Sequence, residues 1–202
     1  MRTEVKSEIR LIASDLIAQG MIIGSIVGVM WLLELIDILF LNQRLNLFGI
    51  RPRDTGYMWG IAFAPFLHGG ISHLLANTPP FIALGWLVLA RSRKEFLWVT
   101  IVVTLSSGLG AWLFGASNSV HIGASGVIFG YFGFLLARGF FDRQLVSIAL
   151  SLIVGAIYGY LLWGVLPNQP NVSWQGHLFG FLGGVLLARG IAQKRGNISK
   201  PI

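Results

Sequence analysis

The sequence predicts an all-α, polytopic membrane protein with about six transmembrane helices. Three observations predict it. Apolar residues make up 54% of the 202 residues and charged residues only 11%, where a soluble domain carries about 25% charge. The mean hydropathy is +0.72. Lys and Arg gather at the ends of apolar runs, which is how a multi-span chain distributes them. No Pro/Ser-rich linker or charge block divides the chain, so one compact unit is expected.

A spanning helix needs about 20 predominantly apolar residues. Candidate spans lie at 21–41, 73–90, 96–115, 124–137, 145–166 and 174–190. Residues 1–20 are polar, carry Arg2, Lys6 and Arg10, and read as a short cytoplasmic tail. They share their basic character with the start of a signal peptide. The apolar run behind them is too long for one, holds Glu34 and Asp37, and has no clear small-residue cleavage site, so it is expected to stay as the first span. Glu34 and Asp37 are expected to meet water or loop backbone at the membrane interface. The loop 42–72 is the longest connection, and its Trp59, Phe63, Pro65 and Phe66 among scattered charges suit a segment lying at the outer interface.

The second span carries His73 and Asn77 at i, i+4, hence on one helical face. Thr78-Pro79-Pro80 follows, removing two N–H donors and predicting a kink. The third span is introduced by Arg91, Arg93 and Lys94. The fourth is short: 124–137 as a helix is about 21 Å long, against a hydrocarbon core of about 30 Å. With Arg138 and Arg143 expected at the cytoplasmic face, its start should be sunk roughly 10 Å below the outer surface. Polar backbone around Ser117, Asn118, Ser119 and His121 at that depth requires a surrounding protein wall or a wet cavity. The sequence thus predicts an outward-opening hollow with Ser125 at its floor.

Orientation follows from the cations. Twelve of the 15 Lys and Arg fall in the first tail, the two loops after the second and fourth spans, and the last tail. The other three, Arg44, Arg51 and Arg53, share the long first loop. The bias places both termini in the cytoplasm. The expected organisation is a tail at 1–20, a six-span unit at 21–190 and a cytoplasmic tail at 191–202.

Several functions are excluded. The absence of cysteine removes disulfides, thiolate metal sites and a cysteine nucleophile. The net charge of +7 does not indicate nucleic acid, because the basic residues form no patch on a polar domain. His68 and His73 flank a Gly-Gly turn at a spacing that is no helical ligand spacing, and no third ligand is evident, so no metal is expected. His68 is expected to tie the loop to the second span, and His121 stands before the serine loop by chance or for local hydrogen bonding and is assigned no functional role. No internal repeat or midplane charge path suggests a transporter.

Chemistry points to Ser125, in Gly123-Ala124-Ser125-Gly126 at a loop-to-helix junction. Small neighbours admit a substrate backbone, and a helix N-terminus offers free N–H groups to an oxyanion. Alone, the tetrapeptide is better read as an ordinary N-cap serine among membrane glycines. His177 changes the balance. It lies near the outer start of the sixth span, and Gly176, Gly180 and Gly184 below it form a stripe, as do Gly126, Gly130 and Gly133 on the fourth. Glycine stripes allow close helix approach, which would bring the imidazole to the hydroxyl as base to nucleophile. His73 and Asn77 can donate hydrogen bonds to an oxyanion, or simply hold a helix end.

His68-Gly69-Gly70, His73-x-x-x-Asn77, Gly123-Ala124-Ser125-Gly126 and His177-x-x-Gly180-x-x-x-Gly184 occur in order on the second, fourth and sixth spans. This combination, over roughly residues 20–190, resembles the rhomboid intramembrane serine proteases in the six-span form common in bacteria. The resemblance implies a rhomboid-like bundle in the bacterial inner membrane. It implies a catalytic dyad of Ser125 and His177 without an acidic third member, with Asn77, His73 and the Ser125 backbone N–H stabilising the oxyanion. It implies cleavage of single-span membrane proteins near the outer face, with no metal and no cofactor. Inactive relatives that escort membrane helices typically lack the serine or the histidine; this chain keeps both. It departs from the family pattern at Trp59-Gly60, where many members have Trp-Arg as a loop anchor. It also has Phe129 where a tyrosine often packs on the histidine; phenylalanine can stack but not hydrogen-bond.

Overall fold

The computed structural model describes residues 2–167 and 172–198. They form helices with one isolated bridge, between Ile50 and His121, and no named strand among the described residues. Seven α-helices follow in order: α1 Arg2–Ile36, α2 Gly60–Phe63, α3 Ile71–Leu89, α4 Arg93–Phe114, α5 Ser125–Asp142, α6 Leu145–Tyr158 and α7 Trp174–Ile198. A π turn, Asp37–Leu41, extends α1, and a 3-10 segment, Gly159–Val165, extends α6. Among the described residues four helical stretches are long and apolar enough to cross a membrane: Glu8–Leu41, Ile71–Leu89, Arg93–Phe114 and Leu145–Val165. α5 and α7, rich in glycine and polar groups, fall outside that set. The chain is an integral membrane protein by these spans.

α5 is the axis of the bundle. It packs against α7, α6, α4 and α3, with α1 lying outside on α3. Tyr131, Phe132 and Phe134 of α5 are fully buried against Leu84, Val88, Val99 and Val103. The Tyr131 hydroxyl is satisfied by Thr100 Oγ1 at 2.7 Å. α6 is peripheral: Leu145, Val146, Leu152 and Ile157 are exposed, and only Ser147 and Val154 are buried on it. Apolar surface of that kind suits lipid. Since lipid tails are as apolar as leucine, helix association then rests on close packing and polar links, not on the hydrophobic effect.

Helix α1 runs unbroken through residues 20 and 21, and α7 runs past residue 190, so neither tail boundary is a structural break. Lys200, counted toward orientation, lies outside the described residues. α3 continues through Pro79 and Pro80 as one helix. Thr78 Oγ1 donates to the Leu74 carbonyl at 2.8 Å and accepts from Trp31 Nε1 of α1 at 3.2 Å, which braces the stretch.

α5 is longer than the expected fourth span. Its 18 residues make about 27 Å of helix. Arg138 thus lies one turn before the end of α5, among residues at the ends of α3, α4 and α6. It is buried inside the bundle, with Nη1 2.5 Å from Glu95 of α4 and Nε 2.6 Å from Asp142. Arg91, at the α3–α4 turn, joins through Asp142 and Ser147. A buried guanidinium needs this much counter-charge to be tolerated. Loop residues Ile50, Ala64, His121 and Ile122 wall the cavity at Ser125.

Those loops are tied down by polar contacts. Glu34 and Asp37 are buried, and Asp37 meets loop backbone as expected, accepting from the Leu45 N–H at 3.0 Å, while Glu34 accepts from the Gln43 amide at 3.3 Å. The missing Trp-Arg anchor is replaced by Arg53, which donates to the carbonyls of Leu113 and Gly115 at 3.0 and 2.8 Å and to Ser117 Oγ at 2.6 Å. This satisfies carbonyls left open at the end of α4. Trp59 instead lies in an exposed aromatic group with Phe48, Tyr57 and Phe63.

Candidate active site

Ser125 opens α5, and the turn before it depends on glycine. Gly123 has φ of +108°, and a Cβ there would sit 2.8 Å from the His73 ring. Both conditions exclude a side chain. Its N–H donates to Ala64 O at 2.8 Å. Ala124 caps α5 without a side-chain hydrogen bond, so no capping side chain takes the N–H groups of the first turn.

His177 lies in the first turn of α7, buried, with Nε2 2.7 Å from Ser125 Oγ. Its Nδ1 is 2.8 Å from the carbonyl oxygen of Gly164, in the 3-10 segment after α6. A carbonyl can only accept, so Nδ1 carries the proton and donates. In a neutral imidazole Nε2 is then the acceptor, and the Ser125 hydroxyl donates to it. The ring of Phe129, one turn along α5, stacks on His177 at 4.1 Å and 7°. Gly164 permits this closeness: a Cβ would fall 2.7 Å from Phe129 and 3.3 Å from His177 Nδ1.

The two helices approach through backbone. A Cβ on Gly180 would collide with the carbonyl of Gly126, and one on Gly184 with that of Gly130. The α5 stripe works differently from the expectation. At Gly126 and Gly130 the missing Cβ admits Ser107 and Val103 of α4, and only Gly133 yields to α7, at Phe181. α5 is thus pressed from two sides.

Beside Gly123 stand His73 and Asn77. His73 Nδ1 accepts from the Gly69 N–H at 3.3 Å, so its proton lies on Nε2, the atom that crowds the Gly123 position. Asn77 Nδ2 donates one hydrogen to the His73 carbonyl at 2.9 Å and keeps a second. His68 is buried beneath, edge-on to His73 at 5.1 Å, and its Nε2 accepts from the Ala124 N–H at 3.5 Å. Burial, with the neighbouring His73, pushes the His68 imidazole down to about 4, so it stays neutral.

A partly open cavity of about 20 Å³, enough for a water molecule, meets this group. Ser125, His177, Ser107, His121 and Ser173 line it together with Ile50 and Ala64. Among the described residues no group of three or more His, Cys, Asp or Glu could hold a metal.

Sequence reasoning missed Gly164, because a carbonyl acceptor has no side-chain signature. It also missed His121 and Ser173, whose side chains meet at 2.6 Å; their polar character at the mouth of two spans was the available signal.

A model of the Rhomboid domain matches residues 55–194. An uncharacterized protein of Mycobacterium tuberculosis is 43% identical over 177 residues, covering 84% of this chain and 73% of that one. YdcA of Bacillus subtilis, whose name assigns it provisionally to the rhomboid proteases, is 30% identical over 154 residues, covering 72% of this chain and 77% of that one. RHOMBOID-like protein 4 of Arabidopsis thaliana is 33% identical over 139 residues, or 64% of this chain and 33% of that longer protein. With that match spanning most of its length, the chain belongs to the rhomboid family.

Proposed function

We propose that the protein is an intramembrane serine endopeptidase that hydrolyses single-span membrane proteins near the outer membrane face, with Ser125 as nucleophile and His177 as base. The observation that carries this reading is the direction of the hydrogen bonds at His177: Nδ1–H is held by Gly164 O, so the Nε2 lone pair faces the Ser125 hydroxyl at 2.7 Å. That is the protonation state a general base requires. The Gly164 carbonyl does the orienting work that an acid does in a triad.

The reaction follows from these atoms. Ser125 Oγ adds to the scissile carbonyl carbon while its proton passes to His177 Nε2. The imidazolium is stabilised by its Nδ1–H bond to Gly164 and by the face of Phe129. The carbonyl oxygen becomes an oxyanion, for which His73 Nε2–H, the second Asn77 Nδ2–H and the unclaimed N–H groups at the start of α5 are candidate donors. His177 then gives its proton to the leaving amine, and the C–N bond breaks to leave an acyl-serine. Water entering through the cavity loses a proton to Nε2 and adds to the ester. Collapse returns the proton to Ser125 and releases the acid.

The wider setting belongs to the same reading. All six long helices, α5 and α7 included, are taken as spans, and the Lys/Arg bias places both termini in the cytoplasm of a bacterial inner membrane. The partners are the bilayer and single-span substrates; no nucleic acid, metal or cofactor takes part.

The test uses purified protein in detergent or vesicles. A fluorophosphonate probe should label the wild type and not Ser125→Ala. Cleavage of a single-span substrate should be lost in Ser125→Ala and His177→Ala while helicity is kept. Retained cleavage in either variant removes the mechanism. An unlabelled, inactive wild type would favour a relative that only binds membrane helices.

A further inference from the structure

The mechanism above makes no use of His121, yet this residue joins three parts of the site. Its backbone N–H donates to Ile50 O and its carbonyl accepts the Ile50 N–H, both at 2.9 Å, which pins the serine loop to the long outer loop. Its side chain reaches the other way. Ser119 Oγ donates its one hydrogen to Ala116 O at 2.6 Å. In its 2.9 Å contact with His121 Nε2 the Ser119 oxygen must therefore accept. His121 Nε2 thus carries the proton, and Nδ1 presents a lone pair that accepts from Ser173 Oγ at 2.6 Å. Burial lowers the His121 pKa below its ordinary value, in keeping with a neutral ring.

Ser173 directly precedes α7, and its carbonyl accepts the His177 N–H at 3.0 Å. His121 stands four residues before Ser125, as Ser173 stands four before His177. The imidazole is thus a strut between the two chain segments that deliver nucleophile and base. Room for it is made at Gly115, where a Cβ would fall 2.5 Å from Nε2.

We propose that His121 is a positioning residue which, through Ser173, holds the first turn of α7 against the loop presenting Ser125. This rests on the protease reading above. Without the strut the first turn of α7 frays more often, and Nε2 of His177 spends less time in line with Ser125 Oγ. Loss of alignment lowers the chemical step and leaves substrate binding alone.

Full-length protein in detergent tests it with His121→Phe, which keeps ring bulk without nitrogens, His121→Asn, whose amide oxygen falls near the place of Nδ1, and Ser173→Ala. We expect His121→Phe and Ser173→Ala each to lower kcat about tenfold with KM within twofold. The double variant should be no slower than the slower single one, and His121→Asn should recover most of the loss. Hydrogen exchange of the 174–177 amides should quicken in His121→Phe. Wild-type kcat in His121→Phe, multiplicative losses in the double variant, or an Asn variant no better than Phe would overturn the assignment. A wild type that neither cleaves nor labels sinks the protease reading, and the catalytic role of the strut with it. Unchanged exchange at 174–177 in an active protein sinks the strut alone.

Discussion

Gly180→Ala is the sharpest probe of how the backbone sets the site. The Cβ of an alanine at 180 would collide with the Gly126 carbonyl oxygen, where a carbon and a carbonyl oxygen need about 3.3 Å. Neither partner is a flexible side-chain tip, so α7 must move off α5 by about 1 Å at this level. His177 lies one turn above on the same helix and shares the shift. The Ser125–His177 contact, 2.7 Å in the structure, then opens to about 3.7 Å, beyond hydrogen-bond range. A displacement of 1 Å can cost about 10²-fold in rate, or about 2.7 kcal/mol of barrier. Overpacking should also cost about 1–3 kcal/mol in stability. The assay is kcat on a single-span substrate, with fluorophosphonate labelling rate and thermal unfolding measured on the same sample. Gly190→Ala, on the same helix with nothing within 4 Å of its Cβ, is the control and should match the wild type. Unchanged kcat in a folded Gly180→Ala protein would refute the claim that backbone contact sets the distance between serine and histidine.

Three further outcomes are expected. Asn77→Ala should slow turnover by about 10²-fold or less, and by less than Ser125→Ala, because several donors share the oxyanion; steady-state kinetics at saturating substrate reads this, and an equal loss would give Asn77 another job. Arg138→Met removes the guanidinium that Glu95 and Asp142 share, although Arg91 and Ser147 still reach Asp142, and should destabilise by about 3 kcal/mol; an unchanged unfolding temperature in detergent would contradict the network. His68 has a depressed folded-state value of about 4, so its neutral form contributes fully above about pH 6.5 and the contribution is lost as pH falls through about 4. Protonation would also take away the lone pair that accepts the Ala124 N–H. Unfolding temperature against pH should therefore fall less steeply between pH 6.5 and 4 in His68→Gln than in the wild type, and parallel curves would refute the link.

Much of this protein is determined by the sequence alone. The length and spacing of apolar runs demand helices wherever lipid replaces water, since backbone groups there must pair within their own segment. The order of Ser125, His177, His73 and Asn77 along the chain, and the small residues beside them, are likewise local facts. Other features depend on what folds against what. Arg138 reads as an end marker from its position, but only the packing of another helix makes it a buried pair with Glu95. Gly126 and Gly130 read as a stripe toward α7, yet α4 takes the space their missing Cβ leaves. The decisive orientation of His177 comes from the Gly164 carbonyl, a group every residue has and no composition reveals. Periodicity is written along the chain, whereas hydrogen-bond direction and helix separation exist only between segments, and those are what set the protonation and aim of the Ser125 and His177 side chains.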